Sequence, residues 1–177
     1  AGDLANSLEL SEENLRQISD LHLLTMKPHI YIINIPESEL ENFDANKFAE
    51  ILGVKDANKI IPICASLEAQ LADLSDNEAA EYLESLGIKE SGLNHLIRIA
   101  YDTLGLITFF TSGPKESRAW TVKKGSLAPQ AAGTIHTDFE KGFVKAEVIS
   151  SQHFIEAGGE TKAKEKGLLR MEGKDYE

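Results

Sequence analysis

The sequence has 177 residues, 42% of them hydrophobic, a formal net charge of −11 and a single cysteine. This composition supports one ordinary core or two small ones, and it excludes a fibrous, disordered or disulfide-stapled chain. No apolar run approaches the roughly 20 residues that span a bilayer, the N-terminus lacks a secretory pattern, and the acidic charge argues against wholesale nucleic-acid binding, so we expect a cytoplasmic protein that binds neither membrane nor DNA.

The first part of the chain alternates between helix and strand patterns. In chain order these predict a helix from Ser11 that ends before Pro28, an apolar strand at 30–35 covered on both faces, a short helix at 44–52 ended by Gly53, and a second apolar strand at 59–65. A strand, a helix and a strand with short connections form a right-handed crossover unit with a parallel sheet.

Two further helices precede a change of character. The patterns predict a helix at 76–86 behind the capping box Ser75-x-x-Glu78, and an amphipathic helix at 92–104. From Gly105 the chain becomes β-rich, and we place a domain boundary there. Next come a hairpin around Gly113-Pro114, a short helix at 128–136, a strand at 143–150, a helix at 152–166, and a run, LLRMEGKDYE, that begins like a strand.

Polar residues follow both apolar strands. Asn34 ends the first strand and Cys64-Ala65-Ser66 ends the second. Ligands of open parallel sheets bind outside the carboxyl ends of the strands. An Asn carboxamide offers a donor and an acceptor that match one edge of adenine, whereas guanine favours an acidic acceptor, commonly an Asp three residues later, where Glu37 stands here. The pattern therefore favours adenine, although Asn before Pro after a strand is also typical of a plain turn.

A phosphate-binding loop should accompany a base-reading loop. The pattern G-x-x-x-x-G-K-S/T is absent, and the nearest candidate, Gly173-Lys174, is followed by Asp175. Either the base-reading interpretation is wrong or the chain is part of a longer protein.

The segment 115–145 is basic in an otherwise acidic chain, with six basic and three acidic residues. Cations grip phosphate and aromatic rings stack on bases, so the segment contains candidate RNA contacts, although solvated lysines and core aromatics are equally ordinary interpretations. The candidates are Arg118, Lys123, Lys124, Lys141 and Lys145, flanked by Trp120 and Phe143. His136, Thr137 and Asp138 lack a neighbouring nucleophile, so we expect them to hold a turn.

Nearly every element from Leu23 onwards resembles the C-terminal half of the Obg-like ATPases, the YchF family. The resemblance is carried by LLTMKPHIYIINIPE (23–37), IPICASLEAQLADLSDNEAAEYLESLG (61–87) and LGLITFFTSGPKESRAWTVKKGSLAPQAAGTIHTDFEKGFVKAEVIS (104–150). It implies an α/β fold, with the end of a helical insertion at 1–28 and the C-terminal part of a P-loop NTPase domain at 29–104. A β-grasp TGS domain, ubiquitin-like and α+β, would follow at 105–177.

The resemblance also implies a function. The full-length protein would be a ribosome-associated ATPase that uses ATP and Mg²⁺, with its catalytic and metal-binding residues outside this chain, so this chain alone should be inactive and carries no assigned catalytic residue. Carried over by position, the adenine pocket would include Asn34, the Ile35 backbone, Glu37, Ala65 and Ser66. The alternative is a stand-alone module that binds ribosomes or RNA without any nucleotide role.

The TGS domain of this family has one more strand after GKDYE, and that strand runs centrally in the sheet. Its absence would leave neighbouring backbone groups unpaired. We therefore expect the isolated chain to be marginally stable or to pair with a second copy through the gap.

Overall fold

The computed structural model describes residues 4–113 and 115–177, which divide into two compact units between Leu104 and Gly105. Pro114, in the predicted hairpin turn, lies outside the described residues, as do residues 1–3. Within the described ranges, every helix is too short or too polar to serve as a membrane span.

The N-terminal unit combines helices with one pair of strands. Its helices are α1 (Glu12–Ile18), α2 (Ala45–Leu52), α3 (Ala65–Ala72), α4 (Asp76–Ser85) and α5 (Gly92–Leu104), and its strands are β1 (Tyr31–Asn34) and β2 (Ile60–Ile63). The unit also contains short 3₁₀ turns, which lie at Ala5–Ser7, Ser19–Leu21, Leu24–Met26, Glu37–Glu39 and Ala57–Lys59. The two predicted strands and the predicted helices α2, α4 and α5 are confirmed. The first helix is shorter than predicted, because α1 gives way to 3₁₀ turns and His22 adopts a left-handed φ of 47°.

Local hydrogen bonds set the helix starts that the sequence predicts. The Ser11 hydroxyl accepts from the N–H of Asn14 at 3.3 Å, and an Asp44 carboxylate oxygen accepts from the N–H of Asn46 at 2.9 Å. Helix α2 ends at Gly53, whose φ of 66° is left-handed. These caps satisfy backbone groups that helix ends leave unpaired, so each boundary depends only on residues next to it.

Strands β1 and β2 are parallel, with Tyr31 opposite Ile60 and Asn34 opposite Ile63. Ile61 is fully buried, and helices α2 and α5 pack against β2. Ile32 in β1 is 51% exposed, so the prediction that the first strand is covered on both faces is wrong. The reason is that this sheet has two strands among the described residues, and its helices gather on β2.

Helix α3 is held by apolar packing and by one polar contact. Leu67 and Leu71 are buried with Cys64 and Leu83 in one cluster. On the same helix, Glu68 Oε1 accepts from the N–H of Gly92 at 2.7 Å, at the start of α5. The start of α3 is therefore held both by this apolar cluster and by the hydrogen bond to α5.

The C-terminal unit contains two antiparallel ribbons and short helices. The first ribbon pairs β3 (Leu106–Ser112) with β4 (Ser117–Lys123), and the second pairs β5 (Ala146–Val148) with β6 (Arg170–Glu172). Its helices are α6 (Ala128–Ile135), α7 (Thr137–Lys141), α8 (Ser151–Ala157) and α9 (Glu160–Glu165). The described residues place the ribbons in separate two-stranded sheets.

The predicted helix at 152–166 is in fact two helices. Gly158 has a φ of 76° and Gly159 a φ of 122°, both outside helical geometry, and they separate α8 from α9. The helical periodicity on either side of this pair is real, which is why the sequence suggested a single element.

We expect the capping box of α4 to shift the titration of Glu78. Its carboxylate accepts from the Ser75 hydroxyl at 2.6 Å and from the Ser75 N–H at 2.9 Å, and these two bonds, the first larger, hold the pKa of Glu78 below its ordinary value. A carboxylate with a lowered folded-state pKa stabilises the fold above its unfolded-state pKa. That contribution is lost as the pH falls through the folded-state value.

Replacing Ser75 with alanine should move the Glu78 pKa back towards its ordinary value, as measured by NMR of the carboxyl carbon across an acid titration. Ser85→Ala is the control, because the Ser85 hydroxyl donates to the Tyr82 carbonyl at the other end of the same helix. An unchanged Glu78 pKa in Ser75→Ala would contradict the proposed cause.

Candidate functional site

The carboxyl ends of β1 and β2 meet at a polar corner. Asn34 is the last residue of β1, and Ala65 begins α3 one residue after β2 and Cys64. The Asn34 Oδ1 accepts from the N–H of Ala65 at 3.2 Å. Asn34, Ala65 and Ser66 are all exposed. The side chain predicted to read a base therefore faces solvent at a strand end and is fixed to the residue predicted beside it.

The residues after Asn34 turn away from the sheet. Ile35 is buried, and its N–H donates to the Ile63 carbonyl at 2.9 Å, so only its carbonyl can receive a donor from a ligand. Pro36 is extended, with φ −67° and ψ 154°, and Glu37 opens a 3₁₀ turn. Glu37 is half-buried.

The second half of the corner is the first turn of α3. Cys64 is buried, and its Sγ lies 3.2 Å from the Ser66 Oγ. Ala65 and Ser66, predicted to follow the end of the second strand, are the first residues of α3, so their backbone N–H groups belong to a helix start. The structure brings Asn34, Ile35, Ala65 and Ser66 together at one edge of the sheet, with Glu37 in the adjoining turn.

The five predicted RNA-contacting cations do not share one face. Strand register places Arg118 on the side of β4 that carries Trp120 and Val122, and Lys123 on the opposite side. The Arg118 guanidinium lies 4.3 Å from the centre of the Trp120 ring. Lys124 follows the strand, while Lys141 ends α7 and Lys145 precedes β5.

Comparison with known proteins identifies the family. Residues 106–177 match the family model YchF-GTPase_C, whose description reads "Protein of unknown function (DUF933)". The ribosome-binding ATPase YchF of Haemophilus influenzae is 47% identical over 173 residues, which make up 98% of this chain and 48% of that protein. The Bacillus subtilis protein of the same name is 44% identical over 97% of this chain and 48% of its own length. This chain belongs to the YchF family.

The structural comparison agrees with this assignment. The solved structure of the Schizosaccharomyces pombe YchF GTPase matches with a TM-score of 0.81 and 34% identity over 98% of this chain and 47% of that chain. The chain therefore spans about half the length of the YchF proteins it matches. The names of these proteins differ on the nucleotide, since the two bacterial relatives are called ATPases and the solved structure a GTPase.

In this YchF chain, the HTDFEKGF segment (136–143) has a structural role. The His136 Nδ1 accepts from the N–H of Asp138 at 3.2 Å and so caps α7, and the His136 ring packs near Phe139. The sequence predicted that His136, Thr137 and Asp138 hold a turn, and among these three residues His136 makes the capping bond. Among residues 4–113 and 115–177, no group of three or more His, Cys, Asp or Glu side chains is arranged to hold a metal ion.

Sequence reasoning missed one aromatic residue of this YchF chain. Trp120 is partly buried and its Nε1 donates to the Thr111 Oγ1 at 2.9 Å, and Phe143 is half-buried, whereas Phe110 is 64% exposed. The signal was present in the adjacent pair Phe109-Phe110, because neighbouring residues of a strand point to opposite faces. One of the two had to face away from the core.

Proposed function

We propose that this chain supplies the adenine-recognising corner and a TGS-type unit to a ribosome-associated YchF ATPase. In this proposal residues 29–104 form the C-terminal part of a P-loop NTPase domain that follows the end of a helical insertion at 1–28. Residues 105–177 form the TGS domain. The observation that carries the proposal is the hydrogen bond from the Ala65 N–H to the Asn34 Oδ1, which joins two strand ends at the corner where nucleotide bases bind in open parallel sheets.

The chemistry of the corner suits adenine. The Asn34 amide nitrogen can donate to the ring nitrogen N7, and its oxygen has a second lone pair for the exocyclic amino group. The Ile35 carbonyl adds an acceptor for that amino group, and Ala65 and Ser66 would form the facing wall. Glu37 stands where related GTPases read guanine, but Pro36 and the 3₁₀ turn hold it in a different local backbone.

We expect Asn34→Asp to separate base reading from the structural role of Asn34. Aspartate keeps an oxygen for the Ala65 N–H but loses the amide donor, so ATP affinity should fall about tenfold while the fold is retained. Asn34→Ala loses both bonds and should weaken ATP binding at least as much and also destabilise the start of α3. The measurement is competition of ATP and GTP against a fluorescent ATP analogue, with the protein encoded by the complete gene.

The outcomes are distinct. Unchanged ATP affinity in Asn34→Asp would remove the adenine corner from the proposal, and a preference for GTP in the unmodified protein would reverse the base assignment. Turnover is not the readout, because phosphate-binding and metal-binding groups are proposed to lie outside residues 1–177, which should show no ATPase activity by themselves.

The name "ribosome-binding" printed for the relatives supports ribosome association for the C-terminal unit. The antiparallel ribbons β3–β4 and β5–β6 support a β-grasp unit, and their open edges among the described residues favour pairing with a second copy. Ribosome binding that residues 105–177 retain alone, and that ATP leaves unchanged in the complete protein, would favour the stand-alone module instead.

A further inference from the structure

Phe110 stands on the outer face of the β3–β4 ribbon. It pairs across the strands with Ala119, whose methyl group covers little of the ring, and the side chain is 64% exposed. The next pair on this face joins Thr108 to Thr121. Small side chains therefore surround Phe110 on this face, and the half-buried Leu106 lies at its far end opposite Lys123.

The inner face of the ribbon is partly covered, although Ile107 on it is 43% exposed. It carries Phe109 opposite Trp120 and Ile107 opposite the buried Val122, and α6 packs against β4. Phe110 is thus not needed for the core of this unit. Burying an exposed aromatic ring is favourable only when something binds it.

Charge favours a polyanion as the partner of the outer face. The eight residues of this face include one basic residue, Lys123, and no acidic residue, in a chain whose net charge is −11. Lys123 lies on the same face as Phe110, about 13 Å further along the strand at ~3.3 Å per residue. A second copy brings no acidic residue of this face to Lys123, whereas a nucleic-acid strand brings phosphates.

We propose that the outer face of the β3–β4 ribbon is a stacking platform for single-stranded RNA, on which Phe110 receives one unpaired base and Lys123 contacts a phosphate a few nucleotides away. Unpaired bases stack on exposed aromatic rings of a sheet, while bases inside a duplex are already stacked on each other. This inference rests on the proposed association with ribosomes, because it names the RNA-contacting residue of that same unit.

The test uses the 177-residue chain and a fluorescein-labelled oligouridylate of about 12 nucleotides, with affinity measured by anisotropy at several salt concentrations. Phe110→Leu keeps an apolar side chain of similar size without the aromatic ring and should weaken binding about tenfold at every salt concentration. Phe110→Trp should retain affinity. Lys123→Gln should weaken binding mainly at low salt and reduce the slope of log K against log salt by about 0.7.

Phe139→Leu is the matched control, because Phe139 is 55% exposed in the same unit but lies on α7. Trp120 fluorescence checks that the variants without a second tryptophan are folded, and far-UV circular dichroism checks Phe110→Trp. Absent binding of the probe, unchanged affinity in Phe110→Leu, or an equal loss in Phe139→Leu would overturn the platform. A dimer that Phe110→Leu dissociates, with no effect on RNA, would identify a second copy as the occupant and overturn it as well.

Ribosome pelleting with the same variants separates this inference from the proposed function. If the unmodified chain binds ribosomes but Phe110→Leu leaves the affinity for the oligouridylate unchanged, only the platform fails. If the chain binds neither ribosomes nor the oligouridylate, the proposed ribosome association fails too.

Discussion

Replacing Leu67 with alanine is expected to lower the free energy of unfolding of the N-terminal unit by about 3 kcal/mol. Leu67 is 2% exposed and lies at the centre of the cluster formed with Cys64, Leu71 and Leu83. Truncation removes buried methyl groups and leaves a cavity, which helices anchored on several sides close poorly. Because Leu67 lies two residues after Ala65, the loss should reach the polar corner.

Urea unfolding can assign this loss to one unit. The only tryptophan is Trp120, in the C-terminal unit, so its fluorescence follows that unit while far-UV circular dichroism follows both. Leu67→Ala should shift part of the circular dichroism transition to lower urea and leave the Trp120 transition in place. Leu93→Ala, at a helical leucine that is 51% exposed, should cost well under 1 kcal/mol. Equal effects of the two substitutions would show that the cluster is not the core of the unit.

Gly92→Val is expected to destabilise the N-terminal unit by about 2 kcal/mol through overpacking. A Cβ at Gly92 would lie 3.0 Å from the Pro62 carbonyl oxygen and 3.1 Å from the Glu68 Oε1. The first of these atoms belongs to the backbone of β2 and cannot move without the strand. The second accepts the Gly92 N–H, so relief of the clash stretches the bond that joins α3 to α5.

The matched control is Asn94→Val, an exposed position two residues further along the same helix. It adds the same β-branched residue without the contact with β2, so it should change the urea midpoint far less than Gly92→Val. If both variants unfold at the same urea concentration, close packing at Gly92 does not explain the effect, since valine has a higher helix propensity than glycine.

Elements whose ends depend on adjacent residues could be predicted from the sequence. The capping box of Ser75 and Glu78, the Asp44 cap and the Gly53 stop each act within a few residues, so pattern and geometry agree. The break at Gly158-Gly159 was missed, although a Gly-Gly pair is a turn signal and both glycines have a positive φ.

Features that depend on distant partners were predicted less well. The exposure of Ile32 depends on how many strands and helices cover β1, and the sequence of β1 alone does not predict that number. The sequence also does not predict which of the aromatic strand residues Trp120 and Phe110 is exposed, because this depends on which face of the ribbon α6 covers. The meeting of Asn34 with Ala65 could be anticipated, because adjacent parallel strands end at the same edge of a sheet.

The Asn34 carboxamide bonds the first turn of the helix that also carries Leu67 into the core. Any molecule that binds only the folded arrangement of this corner adds its binding energy to the stability of the whole unit by mass action. Occupancy of the corner should therefore be visible as a rise in melting temperature. This thermodynamic linkage makes a thermal-shift screen of nucleotides and nucleosides a direct assay for what the corner holds.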